Sequence, residues 1–306
     1  MVKLAAIGEC MIELAWRPGG QAQVGFGGDT LNTAVYLARL GVGVDYVTAL
    51  GDDPMSEEML AAWKAEGIGV ARVARQPGRL PGLYLIRTGP EGERSFFYWR
   101  EQAPAREIFD GPAGEILAAA IASYDWIYFS GITLSLYGDE ARARLLAALT
   151  EARKNGGRVA FDSNYRPRGW PDVATARRWI GAAAALTDID LSTYEDAKLL
   201  FADADPWASA RRLLEAGVSE VAIKDGARAC VLAGAGYAEE VPAEPVARVV
   251  DTTAAGDSFN AGYLASRLAG RPPVAAARAG HRLAGAVIQH QGAIIPAHAM
   301  PSVVPG

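Results

Sequence analysis

The run Val249-Val250-Asp251-Thr252-Thr253-Ala254-Ala255-Gly256-Asp257-Ser258-Phe259-Asn260 decides the fold. It starts β-branched, breaks at small residues, and continues into Ala261-Gly262-Tyr263-Leu264-Ala265-Ser266-Arg267-Leu268, whose apolar spacing is helical. The pattern predicts a strand, a small-residue turn and a helix N-terminus. At such a junction several backbone N–H groups have no partner within the helix and the dipole adds partial positive charge, so an anion is stabilised there. Ala254, Ala255 and Gly256 keep side-chain bulk away from those donors, and Gly256 admits backbone conformations that other residues resist. Asp257 then presents a carboxylate to whatever the donors hold. An ordinary helix start, with Asp257 only complementing the dipole, would use the same letters; Asp251, Thr252 and Thr253 in the same turn favour the anion site.

Working outward, composition sets the bounds. The 306 residues are ample for a large core, in one α/β domain or two smaller ones. A formal net charge of -5 leaves no electrostatic footprint for nucleic acid. Two cysteines, Cys10 and Cys230, make no disulfide framework and lie in apolar runs; three histidines without paired spacing make no metal site. The N-terminus lacks a basic segment followed by an apolar stretch and a small-residue cleavage site, and no apolar run approaches membrane-spanning length. A soluble, cytoplasmic protein without membrane or nucleic-acid partners is expected.

Before the deciding run, residues 4–9 read as a buried first strand that continues through 10–14. Pro18-Gly19-Gly20 marks a turn, and residues 21–24 alternate towards Gly25-Phe26-Gly27-Gly28, so a first hairpin is predicted. Asp29 or Thr30 is a candidate N-cap for a helix over 31–40 that ends at Gly41. Two further strand-like runs, 80–87 and 94–100, flank the turn Gly89-Pro90-Glu91-Gly92-Glu93. Alternation puts Phe96, Tyr98 and Arg100 on one face of this ribbon and Phe97 and Trp99 on the other, so both faces need cover. It reads either as a hairpin packed on the core or as a lid, and Tyr98 beside Arg100 suits a hydroxy-acid ligand. Helix-then-strand units follow: 116–121 with 126–131, and 139–154 with 159–162. Units of this length favour a parallel sheet covered on both faces, with ligands beyond the carboxyl ends of the strands. That rule brings Ser130-Gly131, the segment Asp162 to Arg166, and the turn from Asp251 to Asp257 to one rim.

The segment 251–264 closely resembles the C-terminal signature of the ribokinase-like carbohydrate kinases. The likeness extends to Ile7-Gly8-Glu9-Cys10-Met11-Ile12-Glu13-Leu14, to Gly25-Phe26-Gly27-Gly28-Asp29-Thr30-Leu31-Asn32-Thr33, to Tyr98-Trp99-Arg100, to Asp162-Ser163-Asn164-Tyr165-Arg166-Pro167-Arg168, and to the tail 287–296. It is strongest to members that act on a sugar acid. The resemblance implies one kinase domain over 1–306, with a central mostly parallel sheet flanked by helices on both faces and a small β lid from about 10–26 and 82–101. It implies ATP-dependent phosphorylation of a 2-dehydro-3-deoxy sugar acid at its terminal hydroxyl, with Mg²⁺ bridging the phosphates. Asp257 is then the base, needing no raised pKa, and Ala254, Ala255 and Gly256 form the anion hole. Gly28, Asn32, Tyr84, Tyr98, Arg100, Arg166 and Asp257 are expected at the sugar acid. Asn164, Ser192, Lys224, Gly226 and Gly256 are expected at the nucleotide, and Glu195 at the metal.

Three of these positions keep a second reading. Gly27-Gly28 serves a helix entry as well as a ligand, Arg166 reads also as a surface arginine among prolines, and Ser192 with Glu195 makes a capping box. Ser192 stands where the family has Asn, so the first position of that metal motif is altered. No Walker or protein-kinase glycine loop occurs. A fructokinase-like neutral-sugar kinase and a non-catalytic sugar-acid sensor are the rival functions. The aromatic ribbon further implies a homodimer or higher oligomer through the lid.

Overall fold

Leu4, Ala5, Ala6 and Ile7 are all fully buried in the first strand, Lys3–Ile7 (β1). In the computed structural model, which describes residues 2–17, 19–88 and 94–302, that strand lies inside a nine-stranded sheet. The other strands, in chain order, are Met11–Arg17 (β2), Gln21–Gly27 (β3), Gly43–Leu50 (β4), Val73–Arg75 (β5), Leu83–Thr88 (β6), Arg94–Trp99 (β7), Trp126–Ser130 (β8), Arg158–Asp162 (β9), Ile189–Asp190 (β10), Glu220–Lys224 (β11), Ala229–Gly234 (β12) and Tyr237–Pro242 (β13). The large sheet runs β13-β12-β11-β10-β9-β8-β1-β4-β5, parallel from β11 to β5, with β12 and β13 turned back antiparallel.

Strand alternation divides the core in two. Leu4 and Ala6 point to one face, where helices Asp29–Arg39, Pro54–Ala65, Ala255–Leu268 and Pro273–Val287 bring Tyr36, Trp63, Phe259 and Leu283. Ala5 and Ile7 point to the other, where Gly111–Ile121, Asp139–Lys154 and Val173–Ala184 pack with Phe129, Phe161 and Trp179. Continuous apolar strands are what a parallel sheet covered on both faces requires.

The second, four-stranded sheet has the order β3-β2-β6-β7. The chain passes into it at Gly8-Glu9-Cys10, so residues 4–14 are two strands in two sheets rather than one. Gly8 marks the break, because a Cβ there would lie 2.1 Å from Thr30 Oγ1. Register puts Trp16, Val24, Phe97 and Trp99 on one face and Met11, Tyr84, Ile86, Phe96 and Tyr98 on the other. The turn at 89–93, and Pro18 of the first turn, lie outside the described residues.

Two further expectations change. Val249 and Val250 form no strand; the Val250 N–H donates to Ile288 O at the end of the last helix, and both side chains are exposed. The segment crosses the sheet rim there, where it has no strand edge beside it. The first helix is capped by Gly28 in extended backbone without a side-chain bond, and Asp29 opens its first turn instead of capping it.

Candidate active site

The turn from Asp251 to Asp257 is fixed from within. Asp251 Oδ1 accepts from the Thr253 N–H at 3.0 Å and from its hydroxyl at 2.7 Å, while Oδ2 accepts from Gln291 Nε2 and the Gly292 N–H. This anchoring holds Ala254 in the left-handed region, at φ 59°, as N-cap of helix Ala255–Leu268. Such a conformation is unfavourable for a residue with a Cβ and persists where its surroundings over-determine it. The Ala255 N–H turns back to Thr252 O. Among the described residues no acceptor meets the N–H groups of Gly256 and Asp257, which lie in the first turn and have no partner four residues earlier.

Asp257 is oriented from the opposite end of the sequence. Its Oδ2 accepts from Asn32 Nδ2 at 2.8 Å, and its backbone carbonyl accepts from Thr33 Oγ1 at 3.2 Å. Removal from water, helped by the nearby carboxylates of Asp29 and Asp162, pushes its pKa up to about 8, against Asn32 and Lys224. The reaction does not require this rise; it follows from the burial of Asp257 among carboxylates. Asp29 is raised by burial too, opposed by hydrogen bonds from Ser130 and Asn164.

Beneath the turn lies a polar network. Lys224 Nζ donates to Asp162 Oδ2 at 2.7 Å and to Asn260 Oδ1 at 2.8 Å; Asn260 Nδ2 returns to Asp162 Oδ2 at 2.7 Å and to Tyr128 OH at 3.0 Å. Lys224 is buried, and a Cβ on Gly256 would sit 3.5 Å from its ammonium. The lysine expected at the nucleotide thus ends directly under the anion turn. Gly226 has φ +56° in the turn after β11, with nothing near its Cβ position, so its conformation alone accounts for glycine. Asn164 is likewise left-handed, at φ 28°, and donates through Nδ2 to Asp29 Oδ2 at 2.8 Å.

Ser192 does not cap a helix. Its hydroxyl accepts from the Ser163 N–H at 3.1 Å and joins the ends of β9 and β10, while the N-cap of helix Tyr194–Phe201 is Thr193, without a side-chain bond. The capping box fails because Ser192 still belongs to the strand end. Glu195 is exposed in that helix's first turn. No group of three or more acidic, His or Cys side chains that could hold a metal ion occurs among the described residues.

A cleft of about 970 Å³ is walled in part by Gly28, Asp29, Tyr98, Arg100 and Arg166; no residue of the 251–257 turn lines it, and Asp29, whose carboxylate acts on that of Asp257, is the link between them. The Arg100 guanidinium is joined to Glu9, and Arg166 Nη1 reaches Tyr165 O at 3.0 Å and Asp196 Oδ1 at 3.2 Å. Burial pushes Asp196 up to about 6, with Arg166 opposing. Gly28 has no room for a side chain, since a Cβ would meet Glu9 O at 2.1 Å. Tyr84 lies tilted against Tyr98, with ring centroids 6.1 Å apart, but its hydroxyl donates to Glu13, and it is not among the residues that wall the cleft. Asn32 spends its amide on Asp257. Glu9, Asp29, Thr33 and Asn260 were missed as site residues. All four sit inside the stretches that carry the family likeness, so polar residues within those stretches are the available signal.

A profile of the pfkB family carbohydrate kinases matches residues 1–300. The chain belongs to that family. It is 47% identical over 306 residues to 2-dehydro-3-deoxygluconokinase of Dickeya dadantii (strain 3937), covering 98% of each chain. It is 45% identical over 307 residues to the protein of the same name from Escherichia coli (strain K12), covering 98% of this chain and 99% of the other. An Escherichia coli chain given the name Ribokinase II, solved in complex with ATP and Mg²⁺, superimposes with a TM-score of 0.85 at 21% identity, covering 99% of this chain and 97% of that one. That last likeness establishes the ribokinase-like fold. In this pfkB kinase the turn at 254–257 and the lysine network meet at Gly256, where a Cβ would lie 3.5 Å from Lys224 Nζ.

Proposed function

We propose that the chain is a 2-dehydro-3-deoxygluconokinase, transferring the γ-phosphoryl group of ATP to the terminal hydroxyl of 2-dehydro-3-deoxy-D-gluconate. One observation carries the reading: a carboxylate fixed by Asn32 stands in the same turn as two unclaimed helix N–H groups, and Asp29, which acts on that carboxylate, lines a cleft walled by arginine. Phosphoryl transfer asks the protein mainly for positioning and for stabilisation of spreading charge. The Asp257 carboxylate takes the proton of the attacking hydroxyl as the new P–O bond forms and the bond to the leaving β-phosphate oxygen breaks. The N–H groups of the 254–257 turn hold the transferring oxygens, with the Lys224 ammonium behind Gly256. Arg100 and Arg166 bind the substrate carboxylate, where a planar fork outperforms a point charge. Gly28 lets the sugar approach the backbone, and Tyr98 flanks it.

For the nucleotide, Asn164, the Ser192 strand end and the turn at Gly226 form the neighbouring stretch of the rim. Glu195 would hold Mg²⁺ through water, and the ion supplies charge neutralisation on the phosphates when bound. The small sheet, roughly 10–26 with 82–101, acts as a lid, and its outer face pairs with a second copy in a homodimer or higher oligomer. No helix among the described residues is long and apolar enough to cross a membrane. Cys10 and Cys230 are both free and buried, as suits a cytoplasmic enzyme.

An ADP-release assay across acidic and neutral sugars tests the reading. The expected result is turnover of the 2-dehydro-3-deoxy acid with kcat/KM at least ~10²-fold above any neutral hexose, as a site built for an anion discriminates. Preference for fructose would make the chain a neutral-sugar kinase, and binding of the acid without ADP release would make it a sensor.

A further inference from the structure

Glu9 is an internal anion that the roles given above leave unused. Its side chain is 1% exposed, in the Gly8-Glu9-Cys10 passage between β1 and β2, and it lines the sugar cleft. Burial raises its carboxyl pKa, and the Arg100 guanidinium opposes the rise. A lone buried carboxylate is strongly unfavourable, so its presence needs a partner. Arg100 Nη2 is that partner, bonded to Glu9 Oε2.

The pair is one hydrogen bond short. Glu9 Oε1 and Arg100 Nε are both buried and both without a partner. They are an acceptor and a donor on two groups already joined at their other corner, and sharing them would complete the side-on fork that carboxylates and guanidinium groups favour. Arg100 follows directly on β7 of the small sheet, whereas Glu9 belongs to the passage from the large sheet, so the pair ties the end of β7 to that passage. The surroundings leave little freedom: a Cβ on Gly82 would lie 2.7 Å from Glu9 Oε1 and 3.1 Å from Arg100 Cβ. The guanidinium carbon also stands 6.0 Å from the Tyr98 ring centroid.

We infer that Glu9 is a positioning residue for Arg100: its carboxylate holds the guanidinium by Nη2, leaving the Nη1 corner for the carboxylate of the sugar acid. A free arginine at the end of a lid strand would have to be ordered by each incoming substrate; Glu9 orders it beforehand, which lowers the entropy lost on binding. The inference rests on the sugar-acid reading.

Steady-state kinetics on Glu9→Gln, Arg100→Ala and the double variant test it, with the parent assayed first. A parent inactive on the acid overturns the sugar-acid reading and this inference with it. With an active parent, Glu9→Gln is expected to raise KM for the acid about tenfold or more while kcat stays within about threefold. In the Arg100→Ala background the same change is expected to move KM by less than about twofold, because its effect passes through the missing guanidinium. An unchanged KM in the first background, or equal factors in both, overturns the inference and leaves the sugar-acid reading intact. Should Glu9→Gln fail to fold, Glu9→Asp keeps the charge but shortens the reach, and the same split between KM and kcat is required of it.

Discussion

Asn32 Nδ2 donates to Asp257 Oδ2 at 2.8 Å across 225 positions of sequence. The bond joins the first helix to the C-terminal turn and sets the direction of the carboxylate before any substrate arrives. Asp257→Asn keeps the shape and removes the proton acceptor. Turnover is expected to fall by about 10²–10⁴-fold, the span for a positioned general base, while calorimetric binding of the sugar acid persists. Turnover within a few-fold of the parent would remove Asp257 from the chemistry.

The pH dependence follows from the same residue. Burial, with the neighbouring Asp29 carboxylate, pushes Asp257 up to about 8 from the usual 3.8. The free enzyme must lose that proton to act, so kcat/KM should rise with pH and level off above about 8. The sign for stability is opposite. A folded-state pKa above the unfolded one means that the native chain holds the proton more tightly, so this contribution is complete below about pH 4 and is lost as pH rises through about 8. Melting curves should therefore show Asp257→Asn more stable than the parent at pH 9, with the gap closing towards pH 4. A gap independent of pH would assign the carboxyl an ordinary titration.

Much of this was readable in the chain because it is local or periodic. The helix-then-strand repeats imply the parallel sheet, and the small residues before Asp257 imply the helix entry. What was not readable is long-range. Lys224 has the appearance of a nucleotide contact beside Gly226, yet its ammonium meets Asp162, 62 positions away, because the sheet order sets the ends of β9 and β11 on either side of Ser192. Val249 and Val250 have strand propensity but no strand beside them. Glu9 sits inside an apolar run, where only its contact with Arg100, 91 positions on, explains a buried charge.

Lys224→Met is expected to destabilise the protein by about 3–5 kcal/mol, the usual loss when one partner of a buried ion pair is removed. The Asp162 carboxylate would keep only the Asn260 amide and the Asn164 N–H. Adding Asp162→Asn removes the stranded charge, so the double variant should recover much of the loss in urea unfolding. Additive losses would show that the pair is not coupled.

Arg100→Ala should reduce kcat/KM on the sugar acid by about 10²-fold, because a charge-assisted contact is lost and Glu9 is left buried without its cation. Any activity on a neutral hexose should change far less. Equal losses on both substrates would make Arg100 structural.

Assembly can be argued from the small sheet. Trp16, Val24, Phe97 and Trp99 share its outer face and are 46%, 54%, 47% and 57% exposed. An apolar face of this kind on an edge sheet favours a partner, and a two-fold pair lets one self-complementary patch serve both chains. Light scattering of the dilute parent should therefore give a species of twice 32.3 kDa. Replacing Phe97 and Trp99 together by Glu sets like charges against each other across the two-fold axis and should yield monomers. Because Arg100 follows Trp99 directly, loosening β7 should also raise KM for the sugar acid while leaving kcat nearly unchanged. A parent that is monomeric and fully active would show that the outer face needs no second chain.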